Sequence, residues 1–152
     1  MGSKSSNEYR YLIIHGPNLN LLGEREPDIY GTLTEDRIAQ TICDVSQRDV
    51  DLYQSNHEGD LIDALHEASR EYDGVIINPG ALTHYSYAIY DAIRAIDVPV
   101  VEVHLSDING REAFRATSVT APACRAQYFG EGIESYKKAM SFLQDLVERE
   151  VD

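Results

Sequence analysis

Apolar runs and helical patterns alternate along this 152-residue chain, and that alternation constrains the fold more than any other feature. Residues 11–14, 50–54, 74–78, 98–104 and 126–130 read as strands. The fourth, Val-Pro-Val-Val-Glu-Val-His, is rich in β-branched residues and has the near-continuous apolar character of a strand buried on both faces. The fifth is the weakest, because Gln127, Tyr128 and Phe129 alternate poorly, and Arg125 suits an edge. Helices fit between the strands. Residues 35–47 place Ile38, Ile42, Cys43 and Val45 on one stripe. Leu61, Ile62, Leu65 and Ala68 form the next, and Ala88, Ile89, Ala92, Ile93 and Ile96 the third. Ile133, Tyr136, Met140, Leu143 and Val147 complete the last. Strand–helix alternation of this kind predicts an α/β three-layer sandwich with a five-stranded, mostly parallel sheet.

The length suits one domain with a substantial core, and 43% hydrophobic residues exclude disorder for its body. Residues 1–10 are polar and Ser-rich and read as a disordered, frayed segment or expression remnant; residues 11–152 read as a single catalytic domain. No run approaches membrane-spanning length, so the expected location is cytoplasmic. Thirteen Lys and Arg against 26 Asp and Glu give a net charge of −13. Such a balance disfavours nucleic acid and anionic membranes, whose binders need a basic face. It also disfavours anionic small molecules unless a few cations are focused in one cleft. Cys43 and Cys124 are too few for a disulfide framework and lack metal spacing.

Ligands of open parallel sheets sit beyond the carboxyl ends of the strands, and the polar residues gather there. Asn18 follows strand one, Asn56-His-Glu58 strand two and Asn78-Pro-Gly strand three, while Glu102-Val-His-Leu-Ser106 closes strand four. Asn78 precedes a proline, so its backbone is biased toward extended geometry and its amide can point into a crevice; alternatively, Asn-Pro-Gly is only a turn. A helix is expected to begin at or just after Thr83, with backbone N–H groups suited to an anion. Glu102 and His104 lie two apart on a strand and so point the same way. A carboxylate beside an imidazole can hold its tautomer and make it a competent general acid, or the two can simply pair structurally. The five histidines are spread singly, and no P-loop, GxGxxG or Gly-x-Ser-x-Gly occurs, so neither a metal nor a nucleotide cofactor is expected.

Residues 16–31 separate strand one from the first helix, a long connection that suits a lid or binding loop. It carries Asn18, Arg25 and Tyr30. A phenol has a pKa of about 10, and a nearby guanidinium would favour the phenolate and make Tyr30 a usable base. A plain surface loop with an exposed arginine is the alternative. With metal, nucleotide loop and nucleophile set aside, proton transfer by Tyr30 and His104 is the surviving chemistry.

The segments GPNLNLLGxREPxxYG, QSNHEGxLID, INPGAxTHxSxAIxDA and VEVHLSxIxxREAFR, in this order, resemble the type II 3-dehydroquinate dehydratases over nearly the whole chain. The resemblance implies a flavodoxin-like subunit, an order that five strands suit. It also implies a dodecamer of four trimers and cofactor-free dehydration of 3-dehydroquinate to 3-dehydroshikimate, in shikimate-pathway biosynthesis or quinate breakdown. Carried over, Tyr30 would be the base and Arg25 its partner on the lid. His104 would protonate the leaving hydroxyl, with Glu102 orienting it, and Asn18 would help stabilise the enolate. Asn78 and the N–H groups of Leu105 and Ser106 would hold the substrate carboxylate and a neighbouring hydroxyl. His84 and Arg115 would bind the remaining ring hydroxyls, and Asp91 would reach into a neighbouring subunit's site.

Some positions depart from that pattern. His15 stands where Asn is common, Tyr85 replaces a small hydroxyl residue, and Asp107 stands where Asn is usual. Asn109-Gly110 and Ala116-Thr117 replace more basic or bulkier residues. Asp107, one residue beyond the carboxylate-binding N–H groups, is expected to weaken binding of an anionic substrate. Three other readings fit the same fold: an inactive binding or scaffold protein, the same elimination on a different polyhydroxylated cyclohexanone acid, and a nucleotide or flavin module.

Overall fold

The computed structural model describes residues 4–5, 8–24, 33–106 and 112–149. Five parallel strands, β1 (Arg10–His15), β2 (Asp49–Gln54), β3 (Gly74–Asn78), β4 (Val100–His104) and β5 (Gln127–Phe129), form one sheet in the order β2-β1-β3-β4-β5. This is the flavodoxin-like order, with the chain reversing direction across the sheet between β1 and β3. Helices α1 (Glu35–Ser46), α2 (Glu58–Glu71), α3 (Tyr87–Ala95) and α4 (Ile133–Glu148) cover both faces. β5 is a three-residue edge strand, as its poor alternation foreshadowed.

Period-two alternation divides the strand side chains between two cores. Tyr11, Ile13, Ile76, Val101 and Val103 pack with Ile38 and Ile42 of α1 and with Tyr136, Met140 and Leu143 of α4. Leu12, Ile14, Val75, Ile77 and Val100 pack on the other face with Leu61 and Leu65 of α2 and Ile89 and Ile93 of α3. Most of these side chains are fully enclosed, and each contributes about 1.5–3 kcal/mol of burial. The same alternation continues to the strand ends. It sends Asn78 and His15 toward α1 and α4, and Glu102 and His104 toward the opposite face.

Local differences from the sequence reading have physical reasons. On α1, Val45 is 54% exposed and Ser46 takes the inner position, because α4 packs along the Ile38–Ile42 line. Thr34 caps that helix by accepting from Arg37 N–H at 3.2 Å, and Gln47 ends it in the left-handed region at φ 57°. Thr83 does not begin α3. It lies fully buried in the 3-10 turn Gly80–His84, and Ser86 caps the helix by accepting from Ile89 N–H. At the amino end the folded body begins earlier than composition suggests, since Tyr9 is buried and Lys4 pairs with Asp73 at 2.7 Å.

Candidate active site

Two loops meet where the sheet reverses. Gly16 N–H donates to the Asn78 carbonyl at 2.8 Å, drawing the turn after β1 against the turn after β3. A Cβ at Gly16 would lie 2.3 Å from the Pro79 carbonyl oxygen, so only glycine permits this approach. Gly80 follows at φ 63°, and its N–H donates to Asn78 Oδ1 at 3.1 Å. Asn18 adopts a left-handed backbone (φ 71°). Its N–H donates to Asn56 Oδ1 at 2.9 Å, and Gln54 Nε2 donates to the same oxygen at 3.1 Å. Asn56, seen in the sequence only as part of a polar strand end, is thus the brace that holds the Asn18 backbone in the turn after β1.

On the other face, Glu102 is fully buried and accepts five hydrogen bonds. His104 Nε2 lies 2.9 Å from Oε2, and Thr83, Ser118 and Gln127 donate to that oxygen at 2.9, 2.8 and 2.9 Å. Thr120 donates to Oε1. Burial alone would raise this carboxyl, but the His104 bond and charge and the Thr120 and Ser118 hydroxyls outweigh it and hold Glu102 below the ordinary carboxylate range. An ionised Glu102 only accepts, so Nε2 of His104 carries a proton and Nδ1 is the nitrogen left for the site. The four supporting residues escaped the sequence reading because they come from three separate segments. Only a buried carboxylate in need of donors could have signalled them.

The remaining predicted residues fall into smaller groups. His84 Nδ1 lies 2.8 Å from the Thr117 carbonyl, and its ring meets Phe114 edge-on at 5.7 Å. The Arg115 guanidinium lies 4.8 Å from the centre of the same ring and donates to Glu112 at 2.8 Å. Phe114 therefore joins His84 and Arg115. Leu105 and Ser106 continue β4 beside a cleft of about 930 Å³ between the starts of α1 and α4, walled also by Arg37 and Lys137. Asp91 is exposed on α3. Arg25, Tyr30, Asp107, Asn109 and Gly110 lie outside the described residues. Among the described residues no three His, Cys, Asp or Glu side chains are grouped to hold a metal.

Beneath Asn78 runs a second polar chain that the sequence did not reveal. Asn78 Nδ2 donates to the Tyr136 hydroxyl at 3.1 Å, and that hydroxyl lies 2.7 Å from His15 Nε2. Tyr136 had been placed only in the apolar stripe of the last helix; its partners lie 58 and 121 residues away. A histidine held by an ionised carboxylate, a left-handed asparagine and a buried amide at the carboxyl ends of β4, β1 and β3 are groups that can donate hydrogen bonds and move protons.

Comparisons with known proteins converge on one family. A family model described as dehydroquinase class II matches residues 9–144. The chain is 54% identical over 137 residues to the 3-dehydroquinate dehydratase of Bacillus licheniformis, covering 88% of this chain and 94% of that one. It is 50% identical over 136 residues to the Bacillus subtilis protein of the same name, covering 88% and 92%. The crystal structure of a type II dehydroquinase from Butyrivibrio crossotus superposes with a TM-score of 0.85 at 45% identity, covering 92% of this chain and 99% of that one.

Proposed function

The chain belongs to the class II dehydroquinase family, and from that premise we propose that it dehydrates 3-dehydroquinate to 3-dehydroshikimate by anti elimination through an enolate. Tyr30, as phenolate beside Arg25, removes the proton at C2, α to the ketone. Such a proton is weakly acidic, so its base needs a high intrinsic pKa together with appreciable ionisation near neutrality. A tyrosine next to an arginine meets both needs. Asn18, through an ordered water, stabilises the charge that develops on the enolate oxygen. The C1–O bond then breaks, and His104 gives its proton to the departing hydroxyl, which leaves as water. Tyr30 has gained one proton and His104 has lost one; exchange with solvent resets both.

The observation that carries this reading is the Glu102–His104 pair, 2.9 Å apart with the carboxylate satisfied on every side. A carboxylate so held fixes Nε2–H and turns Nδ1 toward the leaving group. Asn78 and the N–H groups of Leu105 and Ser106 bind the substrate carboxylate and the adjacent hydroxyl. His84 and Arg115, joined through Phe114, bind the ring hydroxyls. The proposed steps use side-chain proton transfer alone, with no metal or organic cofactor. The product serves either aromatic biosynthesis through the shikimate pathway or quinate breakdown, in the cytoplasm.

The chain assembles with copies of itself, as a dodecamer of four trimers. Support comes from Tyr85, Tyr87 and Phe114, which are 63%, 69% and 58% exposed. Asp91 lies one helical turn from Tyr87 and would reach a neighbour's site across such a contact. The test is an assay in metal-free buffer that follows 3-dehydroquinate by the near-UV absorbance of the conjugated product. Turnover that resists chelator and disappears in Tyr30→Phe is expected. A folded, oligomeric protein without turnover would sink the reading.

A further inference from the structure

We propose that His15, Tyr136 and Glu35 are positioning residues for Asn78, forming a buried hydrogen-bonded relay that dictates which face of the Asn78 amide meets the substrate. The proposal rests on the reading of Asn78 as a substrate-binding residue.

The register of the sheet builds the relay. His15 and Asn78 are paired neighbours on β1 and β3, and both point to the α1/α4 face. There, His15 Nδ1 lies 2.7 Å from Glu35 Oε2 in the first turn of α1. His15 Nε2 lies 2.7 Å from the Tyr136 hydroxyl of α4, which in turn lies 3.1 Å from Asn78 Nδ2. His15 and Tyr136 are fully enclosed, and Asn78 is 3% exposed.

Donor and acceptor logic gives this relay one direction. A carboxylate only accepts, so the proton facing Glu35 is on Nδ1. In the neutral ring Nε2 then accepts, and the Tyr136 O–H donates to it. Burial pushes that phenol well above its ordinary range, so it keeps the proton it donates. The phenol oxygen accepts in turn, which requires the nitrogen end of the Asn78 amide. Gly80 settles the other end independently: its N–H can only donate, and it faces Oδ1 at 3.1 Å. Both ends therefore select the same orientation of an amide whose two ends are nearly the same size. The relay and Gly80 use one Nδ2 proton and one Oδ1 lone pair, leaving one donor and one acceptor for a ligand among the described contacts. A flipped amide would place two donors at Gly80 and two acceptors at Tyr136, and would exchange the donor and acceptor offered to an anionic substrate.

Tyr136→Phe removes the hydroxyl through which the His15 and Asn78 side chains are linked while keeping the ring. We expect KM for 3-dehydroquinate to rise about tenfold with kcat changed less than about threefold, the pattern of lost uniform binding. Glu35→Ala acts at the partly exposed end, where the Glu35 side chain is 21% accessible, and so leaves the core intact. It should raise KM by about threefold, because His15 is then free to change tautomer. In an Asn78→Ala background, Tyr136→Phe should add less than about twofold, since the residue it positions is gone. Independent, multiplying effects would overturn the relay, as would an unchanged KM in folded Tyr136→Phe protein. A readout free of turnover is hydrogen exchange at the Asn78 side-chain amide by NMR, which Tyr136→Phe should accelerate at least about tenfold. Unchanged exchange overturns the relay itself, whereas Asn78→Ala with unchanged KM overturns its premise.

Discussion

Arg48 grips Glu148 with two nitrogens: Nε and Nη2 meet the two carboxylate oxygens at 3.0 and 2.7 Å. The pair ties the turn before β2 to the end of α4, and Tyr11 of β1 adds its hydroxyl to Glu148 at 2.6 Å. Burial works against the charge on Glu148, but Arg48 and Tyr11 prevail and hold the carboxyl below its ordinary range. The folded chain thus binds this proton more weakly than the unfolded chain does. The stabilisation is complete above the unfolded carboxyl pKa of about 4.3 and is lost as pH falls through the lower folded value.

Glu148→Gln should therefore cost about 1–3 kcal/mol at pH 7, and progressively less below about pH 4. Urea melts of both proteins across pH check this. An equal cost at pH 3 and pH 7 would show that the charge is not what matters.

Gly16→Ala should lower kcat/KM at least about tenfold while costing about 1–3 kcal/mol of stability. The new methyl must push the Pro79 carbonyl away and part the turn after β1, which carries Asn18, from the turn after β3. Thermal melts and steady-state kinetics on the same preparation separate the two effects. Full activity in a destabilised protein would mean that the spacing of these loops is not critical.

Glu102→Gln keeps the size of the side chain but removes the charge that orients His104, and brings two N–H donors among hydroxyls that donate to the carboxylate. A fall in kcat of about 10- to 100-fold is expected, with a smaller change in KM. Should kcat hold while KM rises, Glu102 would belong to substrate binding instead.

Tyr87→Asp should yield a smaller species in sedimentation, since a charge replaces a 69% exposed aromatic beside Asp91 on a very acidic chain. Salt, by screening like charges, should tighten the parent assembly. Dissociation that grows with salt would contradict this account. Turnover should fall with the loss of large species if Asp91 completes a neighbouring site.

Much of the architecture could be read before folding because buried parallel strands write themselves as unbroken apolar runs. Ile13, Ile14, Ile76 and Ile77 sit where those runs imply. Edge strand β5 was faint because only one side of it is paired. Glu102 and His104 were legible because spacing of two on a strand fixes a shared face. The role of Thr83 was not legible, because nothing local says that its hydroxyl serves a carboxylate 19 residues on. Tyr136 was hidden for a related reason: its ring is that of a core residue, and its one oxygen finds partners only through the register of β1 and β3. Tyr30 and Arg25, singled out in the 16–31 loop as a candidate base and its partner, fall outside the described residues.

The position of α4 has a consequence for the order of folding. This helix covers Ile13, Ile76 and Val101, closes the His15 hydrogen bond through Tyr136, and meets Arg48 through Glu148. Until it docks, one side of the sheet is bare and a buried histidine lacks its partner, so any intermediate without α4 carries its stickiest surface uncovered.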